Sequence, residues 1–188
     1  MLKVFAIATA FLLPWGLVAA DAWAKGRWQQ PENSPPCLVW NASPQANETA
    51  RWSGQCVHGK AEGEGRLIWR YLTDGEPKEE RYKGTMRAGQ LHGRGAYLWA
   101  NGGRYRGDWN NGKLHGDGQI WYPNGNGYQG QWADDNRHGQ GTFLFADGDE
   151  CHGGWHDDNL VGIGQGWRHN EGRIVKCHME GSIINFTD

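Results

Sequence analysis

Cys151-His152 and Cys177-His178 put two thiols and two imidazoles into two short stretches, which is the donor set of a tetrahedral zinc site. Neighbours on a strand point to opposite faces, so each pair would have to leave strand geometry before the four donors could converge. The chain has four cysteines, Cys37, Cys56, Cys151 and Cys177. Its N-terminus reads as an export signal, so oxidised cysteine is the better default. His92, His115 and His138 recur at one spacing, and histidines about 10 Å apart, two strand spacings, cannot share one metal. Asp134-Asp135 and Asp157-Asp158 are separated in the same way. Calcium needs several oxygens at about 2.4 Å, so these pairs suit turn capping better. No glycine-rich phosphate loop opens a helix, and no Ser/His/Asp set is suggested by spacing. No catalytic residue, metal or cofactor is expected, and the chain is not expected to be an enzyme.

The histidines and aspartates recur because the chain repeats. With the stretch YRGDWNNGKLHGDG as the unit and Tyr105 as position zero, Tyr82, Tyr105, Tyr128 and Cys151 fall at intervals of 23 residues. Gly84, Gly107, Gly130 and Gly153 follow at position two, and Met86, Trp109, Trp132 and Trp155 at position four. The pairs Gly93/Gly95, Gly116/Gly118, Gly139/Gly141 and Gly162/Gly164 close each unit. An earlier copy starts at Trp52, and a seven-residue charged extension near Asp74 to Glu80 lengthens its spacing to 30. A degenerate last copy spans Ile174 to Asn185. Units repeating at a fixed period bury their apolar faces mainly against their neighbours.

YRGDWNNGKLHGDG and YQGQWADDNRHGQG resemble MORN repeats, whose pattern is Y-x-G-x-W, a turn, then H-G-x-G. The resemblance covers roughly residues 52 to 170. CLVWN at Cys37 to Asn41, with WSGQC at Trp52 to Cys56, also resembles the opening of exported bacterial members. The resemblance implies an all-β ribbon, an elongated antiparallel meander of successive hairpins capped at both ends. It also implies a family used mostly for binding and scaffolding, without naming a partner.

Residues 1–24 carry an early Lys3, an apolar run from Val4 to Leu13, a break at Pro14 and small residues up to Ala24. This reads as a signal peptide, cleaved after Ala24 or else after Ala20, with an uncleaved anchor as the lesser alternative; the apolar run is shorter than the roughly 20 residues of a spanning helix. Periplasmic or secreted localisation follows. Residues 25–51 form a Pro/Asn-rich lead-in whose one apolar piece is Leu38-Val39-Trp40, residues 52–173 the repeat array, and residues 174–188 a C-terminal cap. With a net charge of -2 and cations interspersed with acids, nucleic acid is not an expected partner.

A hairpin turn centred between positions eight and nine would set Tyr105 opposite Tyr122, Gly107 opposite Ile120 and Trp109 opposite Gly118. Rings would then lie over glycines across the strands. Asn101-Gly102, Asn124-Gly125 and Asp147-Gly148 would link one copy to the next with positive φ. The opposite face is polar except at position 16, where Ile68, Leu98, Trp121, Leu144 and Trp167 form an apolar row. Either the lead-in, the last copy or sheet curvature covers this row, or it is a binding strip.

In an extended ribbon roughly 40 Å separates Cys56 from Cys151, and a disulfide needs Cα atoms within about 7 Å. Cys37–Cys56 and Cys151–Cys177 are therefore the expected bridges. In strict register Cys177 falls on the polar face, so a slip or bulge must bring it to Cys151. Two classes of function remain for what is expected to be a monomer. One is a non-catalytic interaction module of the cell envelope, with a protein or membrane surface, including a lipid headgroup, as partner. The other is a carbohydrate-binding or carbohydrate-processing protein using exposed Trp121 and Trp167. Asn41, Asn47 and Asn185 are N-glycosylation acceptors if the source is eukaryotic.

Overall fold

Strands account for all the regular structure in the computed structural model, which describes residues 26–33 and 36–188. The expected signal peptide lies outside the described residues. The lead-in contributes β1 (Arg27–Gln29) and β2 (Val39–Asn41), which pair as a separate two-stranded sheet. Then follow β3 (Thr49–Trp52), β4 (Gln55–Val57), β5 (Lys60–Thr73), β6 (Glu76–Arg87), β7 (Gln90–Leu98), β8 (Arg104–Asn110) and β9 (Lys113–Trp121). The chain continues through β10 (Gly127–Ala133), β11 (Asn136–Leu144), β12 (Glu150–His156), β13 (Asn159–Leu160), β14 (Ile163–Arg168), β15 (Arg173–Glu180) and β16 (Ile183–Thr187). From β3 to β16 they form one antiparallel sheet of 14 strands in meander order, with β4 and β13 off the main path. The all-β meander expected from the repeat is what forms.

The hairpin register differs from the expectation. Tyr105 opposes Ile120, Gly107 opposes Gly118 and Trp109 opposes Leu114, with a shift between Gly107 and Asp108. The turn lies at positions six and seven, where Asn111 (φ 51°) and Gly112 (φ 84°) both take positive φ. Such a two-residue turn matches the right-handed twist of the flanking strands. Asp134-Asp135 and Asp157-Asp158 are the same turns in later copies, their φ values also positive. A bulge absorbs the register difference and leaves Gly116 and Asp117 outside the β8 ladder, the Asp117 amide donating to the Asp108 carboxylate at 3.3 Å.

Glycine therefore faces glycine, and the tyrosine of the same hairpin covers the pair. A Cβ on Gly118 would sit 2.1 Å from the Tyr105 hydroxyl, and one on Gly141 2.1 Å from that of Tyr128. The phenols donate to the carbonyls of the bulge, Tyr82 to Thr85 at 2.8 Å, Tyr105 to Asp108 at 2.9 Å and Tyr128 to Gln131 at 3.2 Å. The tryptophans reach back one copy, with Trp109, Trp132 and Trp155 donating to the carbonyls of Gly95, Gly118 and Gly141. The inner face is thus a ladder of edge-on Tyr-Trp contacts, with centroids 5.1 to 5.9 Å apart from Tyr105 to Trp132. The linking turns match the expectation, Gly102, Gly125 and Gly148 all having φ near 90°.

Both ends are tied down. Leu38 donates to Gly59 and Trp40 to Gly89, and Cys37 bonds to Cys56 with Cα atoms 5.6 Å apart. Cys151 bonds to Cys177 across β14, with Cα atoms 6.0 Å apart. Cys177 is fully buried, whereas strict register assigned it to the polar face. The turn after β14 is one residue longer than its counterparts, so Val175 instead of Ile174 pairs with Gly166, and the last copy slips by one. A one-residue slip exchanges the faces of a strand.

Candidate functional site

On the outer face, the position-16 residues join into a single row across the sheet. Following the paired residues from strand to strand gives Arg51, Ile68, Arg81, Leu98, Arg104 and Trp121. It continues through Gly127, Leu144, Glu150, Trp167 and Ile174. Apolar and charged residues alternate along the first half, because position 16 of one copy pairs with the residue just before position zero of the next. Leu98 and Trp167 are 42% and 38% exposed, and Ile68, Trp121 and Leu144 are half-buried. Among the described residues, neither the lead-in nor the last copy covers the row.

A parallel row, two residues along each strand, carries Arg66, Lys83, Ala96, Arg106, Gln119 and Gln129. Between the two rows the outer face hollows to about 700 Å³, with Ile68, Leu98 and Trp121 beside Arg66, Lys83, Arg104 and Arg106. Arg81, also at the hollow, is paired with Glu79 at 2.5 Å, and Arg94 pairs with Asp108 at 3.4 Å. Arg51, Arg66, Lys83, Arg104 and Arg106 have no ion pair among the described residues. Arg104 lies over the Trp121 ring at 4.6 Å. Arg66, Lys83, Arg104 and Arg106 meet around this hollow, with Glu64 and Asp117 further along the same face.

The Cys-His zinc set does not form, since Cys151 and Cys177 are consumed by their disulfide. His92 and His138 each bury an Nδ1 without a hydrogen-bond partner, whereas His115, at the same repeat position, is exposed. One donor group does converge: ligand atoms of His138, His156 and Asp157 lie within 4.8 Å of one another, the two rings 5.0 Å apart. These residues could hold a transition metal. Comparing histidines of equal repeat position misses this group, because it joins position ten of one copy to position five of the next. Asn41, a glycosylation acceptor by sequence, is buried and donates to the Glu48 carboxylate.

The family model for the MORN repeat matches residues 52–70, 82–104, 105–127 and 128–150. The chain belongs to the MORN-repeat family. No curated protein matches it. The fifth copy lies beyond the matched segments, yet β12 and β14 continue the MORN hairpin ladder, with Trp155 in its place and Cys151 where a tyrosine stands elsewhere. MORN repeats are generally interaction or scaffold modules and generally non-catalytic. The two disulfides suit an oxidising environment. No helix among the described residues is long and apolar enough to cross a membrane.

Proposed function

We propose that this chain is an exported, non-catalytic interaction module of the cell envelope, and that it docks an acidic protein or envelope surface on its outer face. The observation that supports this reading is the row of Ile68, Leu98 and Trp121 beside Arg66, Lys83, Arg104 and Arg106, which have no ion pair among the described residues. Exposed apolar residues rimmed by charge are typical of binding surfaces. Unpaired arginines and lysines steer association with a partner of opposite sign. Nucleic acid is the poorer fit, since Glu150 interrupts the row and apolar residues floor the hollow. The carbohydrate reading is weakened at Trp121, whose ring already carries Arg104.

The test is capture of partners from envelope extracts by the native protein and by the Trp121→Ser/Trp167→Ser double variant. The variant should melt like the native protein and lose the partner. A partner retained by a folded variant counts against the outer face, and glycan binding lost with Trp121 would favour the carbohydrate reading.

A further inference from the structure

The lead-in leaves a gap where it crosses the inner face of the first copies. This cleft of about 350 Å³ is walled by Trp40, Trp69, Tyr71, Tyr97, Trp99 and Trp109. Its size suits a small ligand. Three carboxylates also line it, those of Glu48, Glu80 and Asp135, and no lysine or arginine does. Among the described residues, every hydrogen bond to these carboxylates comes from a neutral donor. Glu80 accepts the phenols of Tyr71 at 2.9 Å and Tyr97 at 2.5 Å. Glu48 accepts the Gln45 amide at 3.1 Å and the Asn41 side chain. Asp135 accepts the Leu114 amide at 2.8 Å. None of the three has an ion pair among the described residues, and Arg27 acts on Glu48 only from a distance.

Such charge is costly to hold in a half-buried site without a counter-ion. Burial accordingly raises the Glu48 pKa. The same cleft draws on the extension that lengthens the first copy. The extension after Trp69 prolongs the β5–β6 hairpin, pairs Trp69 with Glu80, and so delivers Tyr71 and Glu80 to the site.

We propose that this cleft binds a small organic cation, an alkylated ammonium group seated against the Trp and Tyr rings with Glu80 and Glu48 as its counter-charges. Aromatic faces attract a cation through their quadrupoles, and more strongly when it is desolvated. A neutral sugar would also stack on the rings but would leave the carboxylates uncompensated. An anion would be repelled. The site lies on the face opposite the proposed docking row, so the two readings stand or fall separately.

The probe is choline, titrated calorimetrically into the full chain beside its neutral carbon isostere, dimethylbutanol, and glucose. Choline should bind saturably, with dimethylbutanol weaker by about tenfold or more. Glu80→Gln and, independently, Glu48→Gln should each weaken choline by about tenfold in protein that still melts cooperatively. Glu150→Gln, on the outer face, should change nothing. The proposal is overturned if choline does not saturate, if the isostere binds as well, or if glucose saturates the site in its place.

Discussion

Asp135 and Leu114 clip one copy to the next: the Asp135 amide donates to the Leu114 carbonyl at 3.1 Å, and the Asp135 carboxylate accepts the Leu114 amide at 2.8 Å. Asp158 and Arg137 repeat the arrangement at 3.1 and 2.9 Å. In earlier copies Gly89 and Gly112 make only the first of these bonds, to Ala61 and Leu91. The aspartates at these turns thus have two duties, tolerating positive φ and capping the preceding hairpin.

Asp135→Ala removes the acceptor and places a Cβ residue without a local hydrogen bond at φ 75°. It should cost about 1–3 kcal/mol. Asp135→Asn keeps both an acceptor and a tolerance for this conformation and should cost less than half as much. Denaturant unfolding of the two variants checks the order, and equal losses would show that the carboxylate is not the cap.

Glycines in this ribbon serve two purposes that substitution can separate. Gly118→Ala would drive a methyl group into the buried Tyr105 ring, with atoms 2.1 and 2.5 Å away, and should cost about 3 kcal/mol or more. Gly102→Ala meets nothing within 4 Å and is strained only by its φ of 90°, so it should cost about 1–2 kcal/mol. Melting temperatures of the two variants decide the matter.

The period, the aromatic inner face, the linking turns and the outer row could be read from the sequence because each depends on residue type at a fixed interval. The hairpin register could not, since moving the turn from positions eight and nine to positions six and seven preserves face parity while changing every partner. Tyr105 stays inside whether it opposes Tyr122 or Ile120. The bulge that reconciles the true turn with the H-G-x-G segment has no alternation signal of its own. Cys177 was placed on the wrong face because a single residue added in the turn near Gly172 exchanges the two sides. The inner cleft was hidden for a different reason: Trp40 and Glu48 come from the lead-in, whose path over the repeats no periodicity encodes.

Deleting residues 174–188 should destabilise the far end. It removes β15 and β16, leaves β14 as an unpaired edge, and takes Phe186 from its contact with Phe145 at 5.5 Å. In a Cys151→Ala background, which avoids a stray thiol, the truncated chain should melt lower and elute as associated species. Light scattering that reports monomer with unchanged melting would show that the cap is dispensable.

The two disulfides should differ in their response to reductant. Cys151 and Cys177 are both fully buried, whereas Cys56 is exposed beside a buried Cys37. Access governs thiol exchange, so mild reduction should open Cys37–Cys56 first. Each bridge should contribute roughly 3 kcal/mol in the chain-entropy model, for separations of 19 and 26 residues. Timed alkylation and peptide mapping would show the order.

Alkaline pH should unfold the ribbon through its tyrosines. Burial raises the phenol pKa values of Tyr82, Tyr97, Tyr105, Tyr122 and Tyr128 above the ordinary 10.0. Burial, aided by the Glu80 carboxylate, pushes Tyr71 up to about 12. A raised acid is still protonated in the folded chain when the unfolded chain has begun to ionise. Above pH 10 the unfolded state therefore binds fewer protons, and stability falls as pH rises. The contribution is fully present below pH 10 and is lost progressively as pH climbs through the folded values, about 12 for Tyr71. Several tyrosines acting together should make the decline steep, with melting temperature flat from neutrality to about pH 9 and dropping sharply beyond 10. Tyr71→Phe should remove one proton's worth of that slope while leaving the aromatic ladder intact, and an unchanged slope would show that Tyr71 titrates in the folded chain as it does in the unfolded one.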